Sequence, residues 1–390
     1  PRWQAVAAID ALGANGIVGE LDRAPAGDLF AQRAAAGFQT DLVRLDAAGQ
    51  LLGYWAIERL PGVDAVAPVS VGALELYGPP TGERLRCEVE VQEVGEVSVR
   101  ATLQLFTPDG RLHARVVDWQ DRCFRLPPRV ATFLGAPSTT SLSEPWELPA
   151  GSLAADGDLA CTRLPIGRDP VAGWVEREVA LLVLSRAERE ELGAARGTDA
   201  RKTEWLMGRI AVKDAVRRLL ARRHDRGAIW PADVEVSQDA RGAPRVRLLG
   251  GLADLAPPAV SISHADGVVV ALAVDARRGV RPGIDVEPPS PRPRGFDEVA
   301  YTPGEQQLLA GVPPDDRDEW VTRLWCAKEA AGKAAGTGLP DGPQAVVAHG
   351  FDPASGRVDM TLPDGHHLAV RTARDGDLGV AVALATRSDP

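Results

Sequence analysis

The stretch from residue 283 to residue 333 constrains this chain more than any other. It opens on Gly283-Ile284-Asp285-Val286-Glu287 and closes on Trp325-Cys326-Ala327-Lys328-Glu329-Ala330-Ala331-Gly332-Lys333. The opening segment predicts a short buried strand, because the apolar run 268–274 precedes it and Pro288-Pro289 stops ladder pairing after it. Strand side chains alternate, so Asp285 and Glu287 share one face while Ile284 and Val286 pack inward. The closing segment predicts a helix, on which i, i+4, i+8 spacing puts Trp325, Glu329 and Lys333 on one stripe. Three acids from two elements, with a lysine one turn on, make an oxygen-donor set for a hard dication. Magnesium suits it best, since that ion takes one or two protein carboxylates, keeps waters and bridges substrate phosphates. Each piece alone is ordinary: strand acids at i, i+2 usually form a solvated face, and a helix ion pair contributes about 0.2–0.5 kcal/mol.

The neighbours change that balance. Ser261-Ile262-Ser263-His264 comes before the strand, and Tyr301-Thr302-Pro303-Gly304-Glu305 lies between strand and helix. The Ser-His pair, Gly-Ile-Asp-Val-Glu and Trp-x-x-Lys-Glu-Ala-x-x-Lys, in that order, resemble the 4′-phosphopantetheinyl transferases, specifically the two-lobed type that activates carrier proteins of peptide and polyketide synthases. The resemblance implies transfer of the phosphopantetheine arm of coenzyme A to a serine of an acyl or peptidyl carrier protein. It implies Mg²⁺ held by Asp285, Glu287 and Glu329, and coenzyme phosphates contacted by Lys333, His264 and Ser263. The serine proton needs an acceptor, and Glu329 and Glu305 are both open for that role.

At 390 residues the chain has room for two or three domains. Its formal charge of −10 argues against a nucleic-acid partner. No apolar run approaches the roughly 20 residues that span a bilayer. Residues 1–30 carry Asp10, Glu20, Asp22, Arg23 and Asp28 without a signal-peptide core. Cys87, Cys123, Cys161 and Cys326 lack metal-ligand spacing and fit free buried thiols in a reduced, cytoplasmic protein. The start at Pro1 reads as a piece of something longer, expected to be a larger polyketide synthase.

Residues 1–130 read as one unit. Residues 4–19 suggest a strand and turn. Residues 41–60 predict a helix capped by Asp41, with Leu42, Leu45, Leu52, Trp55 and Ile57 as its apolar face. Strand-like runs follow at 69–77, 84–94, 97–106 and 112–119. One helix followed by an antiparallel meander is a hot-dog layout. Within the helix, Asp46 and Gln50 are i, i+4 neighbours. Asp46-Ala47-Ala48-Gly49-Gln50, with Leu76-Tyr77-Gly78-Pro79-Pro80, Asp109-Gly110-Arg111 and 119–124, resembles the second half of a polyketide-synthase dehydratase. That resemblance implies Asp46 as a proton donor whose partner histidine belongs to a first half not present here.

Residues 131–150 read as a Pro-rich linker with a boundary near Ala150, and 151–390 as the transferase. Residues 161–164 and 175–184 look like opening strands, and Ser185-x-x-Glu188 like a capping box. A helix over 199–223 follows, its apolar side including Trp205, Leu206, Val212, Val216, Leu219 and Leu220. Arg209, Lys213 and Arg217, with Lys202 a heptad earlier, put a cationic stripe on that helix. Residues 201–209 resemble a family segment that lies against coenzyme A, which implies phosphate contacts from Lys202 and Arg209. A hairpin turn is expected over 238–245. The family has a basic residue where this chain has Ala243, so Arg241 or Arg245 replaces it or the contact is missing. Closing strands are expected at 358–362, 368–372 and 378–383. The expected class is α+β: a hot-dog-like domain, then a pseudo-two-fold, two-lobed transferase. Two other readings stand beside catalysis: a non-catalytic carrier-docking scaffold, and a dehydratase fragment with an appended transferase.

Overall fold

The computed structural model describes residues 5–23, 41–78, 82–148, 158–165, 173–265, 267–290 and 292–386, with the backbone alone for 173–176. The expected boundary at Ala150 and the Pro79-Pro80 pair lie outside the described residues. Two compact units divide the chain, Pro1–Ala131 and Thr132–Pro390.

The first unit contains β1 (Val6–Leu12), β2 (Gly16–Asp22), α1 (Leu42–Arg59), β3 (Ala65–Ser70), β4 (Ala73–Leu76), β5 (Arg84–Val94), β6 (Ser98–Phe106) and β7 (Leu112–Phe124). Its antiparallel sheet runs β1-β2-β5-β6-β7-β3, with β4 also on β7, and α1 packs against it. The Asp41 carboxylate caps α1 by accepting from Val43 N and Arg44 N at 3.1 and 3.2 Å, a contribution of about 1 kcal/mol. Val43, Ala47, Leu51, Leu52 and Trp55 are buried with Val89, Leu103 and Val116 of the sheet. Each large side chain among them contributes roughly 1.5–3 kcal/mol of burial.

The buried face of α1 overlaps the expected one but is rotated from it: Leu52 and Trp55 are buried and Leu45 packs against the core, while Leu42 and Ile57 are 40% and 46% exposed. The sheet selects the sector rich in small residues, which lets the helix approach closely. A Cβ on Gly49 would stand 2.4 Å from the Trp119 ring. The expected strand 69–77 splits at Val71-Gly72 into parts of β3 and β4, both paired with β7. Val69, Val71, Leu74, Leu76 and Tyr77 leave this stretch exposed and apolar.

A short helix, α2 (Pro128–Gly135), precedes the second unit's strands β8 (Glu144–Pro145) and β9 (Leu159–Pro165). Then come α3 (Gly173–Val183), α4 (Arg186–Ala194), α5 (Asp199–His224), and the hairpin β10 (Val234–Gln238) and β11 (Pro244–Leu248). β12 (Ala259–Ala265), β13 (Val268–Val274) and β14 (Val280–Glu287) follow, then α6 (Phe296–Ala300), α7 (Pro303–Ala310) and α8 (Arg317–Ala335). β15 (Val347–Asp352), β16 (Arg357–Thr361), β17 (His367–Asp375) and β18 (Leu378–Thr386) close the chain. One sheet runs β12-β13-β9-β8 and another β14-β18-β17-β16-β15. α5 packs on the first sheet and α8 on the second, so the unit has two lobes of α+β architecture.

Two expectations change here. Residues 175–184 fall in the helix α3, not a strand; a short apolar run does not distinguish the two. The linker 131–150 is not a spacer where it is described. Asp214 accepts from Ser143 N and Oγ at 2.9 and 2.7 Å, Glu144–Pro145 pairs with β9, and Trp146 Nε1 donates to Asp375 at 2.8 Å. Asp214 is 2% exposed, so this segment supplies partners that a buried carboxylate needs.

The lobes repeat one buried motif that residue identity conceals. In the first, Glu188 completes the capping box of α4 with Ser185, accepts from Val236 N at 3.0 Å, and pairs with Lys213 of α5 at 2.7 Å. Lys213 Nζ also donates to the Pro231 and Val234 carbonyls. In the second, Glu305 completes the capping box of α7 with Thr302, accepts from Ala348 N at 2.7 Å, and pairs with Lys328 of α8. Lys328 Nζ donates to Pro343 O and Val346 O at 3.0 and 2.7 Å. A helix start, a long helix and the strand after it are thus tied together twice by the same three-way bond.

Candidate active site at the lobe seam

β12 and β14 face each other where the lobes meet. Ser261 Oγ accepts from Ile284 N at 3.1 Å, and Ser263 Oγ donates to Asp285 Oδ1 at 2.8 Å. These serines join strands of different sheets, which is why alternate positions of β12 carry hydroxyls. On the other side, β14 presses against α8: a Cβ on Gly283 would stand 1.8 Å from Ala330 O. Glycine is required there by the close approach, and that approach brings Asp285 to Lys333. Lys333 Nζ donates to Asp285 Oδ1 at 2.7 Å and to Ile284 O at 3.1 Å.

Asp285 is 4% exposed, and its Oδ2 is buried without a partner. A buried carboxylate oxygen left open is costly and points to a missing partner. Burial, then the Asp285 charge, pushes the Glu287 carboxyl above its ordinary range, against Arg292, Lys333 and His264. Burial, then Asp285, does the same to Glu329, against Lys333. The expected acids from β14 and α8 therefore do share one electrostatic neighbourhood. Among the described residues no group of three or more His, Cys, Asp or Glu is gathered closely enough to hold an ion as folded. The donor chemistry fits a hard dication nonetheless, with oxygen donors only and one buried oxygen open, while Lys333 holds the other Asp285 oxygen.

Beside the seam, a cavity of about 300 Å³ is lined by Arg241, Arg245, Arg281 and Lys333, with Ser261 at its wall and no acidic side chain. A second cavity, about 260 Å³, is lined by Arg201, Trp205, Arg209, Gln238 and His264. The β10–β11 turn at Gly242 and Pro244, with Ile262, borders both. Four cations and no anion make the first cavity suited to phosphate groups.

Several expected site residues are held by other partners or lie at the surface. Glu305 is fully buried in its ion pair with Lys328, every oxygen occupied, and so cannot reach a substrate hydroxyl. The cationic stripe on α5 is not a surface. Lys213 is bound to Glu188, and Arg217 to Asp214, Ile229 O and Pro137 O. Arg209 is buried, stacked 4.0 Å over Trp205 and paired with Glu191 at 3.4 Å, with its Nε unpartnered. Lys202 lines neither cavity, whereas Arg201 lines the second. Arg245 is bound to Asp239 through Nε and Nη2 at 3.1 and 2.8 Å. His264 is exposed at the end of β12, and Asp46 is exposed on α1 with Gln50 Nε2 donating to it at 2.6 Å. Arg281 went unnoticed, although 281, 283, 285 and 287 alternate along one face of β14. Arg292 was missed too; its Nη1 lies 3.9 Å from Glu287.

A helix-wrapped antiparallel sheet and a two-lobed unit with an acid-lysine seam define a hot-dog domain and a candidate phosphate-handling transferase. Comparison with known families gives both their names. Residues 1–126 match the family described as polyketide synthase dehydratase N-terminal domain, and residues 281–383 match the 4′-phosphopantetheinyl transferase superfamily. Each match covers less than half of the chain. The first description names the N-terminal domain, whereas the Asp46–Gln50 pattern resembles the second half; the match carries the dehydratase family in either case. No curated protein matches the chain. Among solved structures, the GphF dehydratase P1711L variant is 18% identical over 32% of this chain and 44% of that one, with a TM-score of 0.27. The dehydratase domain from the CurJ module of the curacin polyketide synthase is 17% identical over 32% and 42%, also at 0.27. AziG of S. sahachiroi is 19% identical over 30% of this chain and 90% of that one, at 0.25. The chain spans less than half the length of the two dehydratase chains.

Proposed function

We propose that the second unit transfers the 4′-phosphopantetheine arm of coenzyme A to a serine of an acyl or peptidyl carrier protein, as a part of a polyketide synthase. One observation carries the reading: Asp285, with an open buried oxygen, meets Ser263 and Lys333 beside an acid-free cavity lined by Arg241, Arg245 and Arg281. The family match over 281–383 supports it.

Asp285, Glu287 and Glu329 are the residues that would hold Mg²⁺, which when bound supplies charge neutralisation at a pyrophosphate. The chain's own work is positioning and electrostatics, as phosphoryl transfer demands. Arg241 and Arg281 take coenzyme phosphate charge, and Lys333 moves from Asp285 Oδ1 to a phosphate oxygen. His264 contacts phosphate from the exposed end of β12. Glu329 accepts the serine proton, directly or through one water; burial raises its carboxyl and makes it a stronger base than a surface carboxylate. Ser263 keeps Asp285 oriented. Incubation with coenzyme A, Mg²⁺ and an apo carrier protein, read as the mass of the carrier, tests this.

A scaffold that docks carriers without catalysis has no observation in its favour. The first unit is read as a dehydratase half, and which half it represents belongs to the same proposal.

A further inference from the structure

The outer face of the second-lobe sheet carries a side-chain group that the transfer reaction does not use. β16 lies between β15 and β17, and its Thr361 is opposite Val347 on one side and His367 on the other. β15 is irregular between Ala348 and Gly350, which leaves His349 as the extra residue of a bulge. Bulges re-aim side chains, and this one turns His349 toward the middle strand. His349 Nε2 and His367 Nδ1 meet at one oxygen, Thr361 Oγ1, at 2.7 and 3.0 Å. Both imidazoles are exposed, their centroids 6.3 Å apart. A hydroxyl has one proton, so Thr361 donates to one ring nitrogen and accepts from the N–H of the other.

We propose that His349 and His367, with Thr361 between them, form a binding site for a transition-metal dication of the zinc(II) or nickel(II) class, with water completing the coordination. Imidazole nitrogen suits those ions, whereas magnesium takes oxygen donors, so this site and the seam select different metals. Two imidazoles on one tetrahedral ion, at 2.0–2.1 Å from each nitrogen, hold their ring centroids about 5 Å apart. Closing from 6.3 Å takes about 1 Å, within reach of side-chain rotation at two exposed positions. The nitrogens already converge on Thr361 Oγ1, and the ion sits between the two rings with that oxygen beside it. Nearby acids are otherwise engaged, Asp364 by His366 at 3.1 Å and Asp359 by Arg357 at 2.7 Å, so the protein ligands are the two rings and the hydroxyl. β15 is the edge of its sheet, and an ion joining His349 to His367 pins that edge across β16. Binding to the folded state alone then raises the unfolding temperature.

The test uses the untagged full chain with excess Mg²⁺, titrated with NiCl₂ and separately with ZnCl₂ by calorimetry, with thermal unfolding in parallel. The expected result is a saturable site with Kd below about 100 μM and an unfolding midpoint that rises with metal. His349→Ala and His367→Ala should each weaken binding at least tenfold and remove the rise, while His366→Ala leaves both unchanged. Both side chains are exposed, so the variants keep the fold, which circular dichroism checks. No saturable binding, or binding that survives in both variants, overturns the proposal.

Discussion

Lys328 Nζ stands 2.8 Å from Glu305 Oε2, with both side chains closed off from solvent. Glu305 was a candidate base because it lies between strand and helix in the sequence. Its partners show instead that it joins α7, α8 and β15, as Glu188 joins α4, α5 and β10. Breaking a buried pair by removing one partner costs about 3–5 kcal/mol. Glu305→Gln should therefore lower the unfolding midpoint sharply while the folded fraction keeps kcat within a few-fold. Denaturant unfolding and transfer kinetics on the same sample check this. A catalytic base would show the opposite pattern, with stability kept and turnover lost by orders of magnitude.

Arg241 and Arg245 both line the cationic cavity, but Asp239 already holds the Arg245 guanidinium. Arg241 makes only a backbone bond to Asp239, so it is the free cation of the turn among the described residues. Arg241→Ala should raise KM for coenzyme A about tenfold, the equivalent of ~1.4 kcal/mol, with Arg245→Ala doing less. A change confined to kcat in Arg241→Ala contradicts the assignment.

These two cases show what the sequence reveals and what it hides. The seam was legible because strand and helix periods put Asp285, Glu287, Glu329 and Lys333 on computable faces. Capping boxes and turns were legible for the same local reason. The burial of Glu305, Lys213 and Arg217 was not, because a buried charge is identified by partners distant in sequence, such as Val346 O, Val234 O and Pro137 O. The sector of α1 that packs was only half legible: Leu52 and Trp55 are buried as expected, but the helix is apolar on more than one side, and the sheet leaves Leu42 and Ile57 exposed.

The first unit should not dehydrate a 3-hydroxyacyl carrier substrate by itself. Elimination of water needs a base as well as the acid Asp46, and the unit has one histidine, His113. That ring is 3% exposed, and burial pushes its pKa below the ordinary range, so it cannot meet a substrate. Loss of water from such a substrate, abolished in Asp46→Asn, is the result that contradicts this.

Asp121 makes the stability of the first unit depend on pH. Burial pushes its carboxyl up to about 6, despite the bond from Trp119 Nε1 at 2.7 Å. The folded state thus binds a proton that the unfolded state releases above its ordinary value near 3.8. The sign follows: stability falls as pH rises from about 4 to 6 and is flat above, a cost of at most about 3 kcal/mol. Asp121→Asn should stabilise the unit at pH 7 and flatten that slope in urea unfolding. An unchanged slope contradicts the account.

Carrier modification tests the central claim most directly. The purified chain, coenzyme A, Mg²⁺ and an apo acyl carrier protein are incubated, and the carrier is weighed by mass spectrometry. The account predicts that the carrier gains one phosphopantetheine arm on its serine and that excess chelator abolishes the gain. Asp285→Ala and Glu329→Ala should each slow it by orders of magnitude while the fold is kept, since both remove stabilisation made mainly at the transition state. An unmodified carrier, or full modification in chelator or in Asp285→Ala, contradicts it.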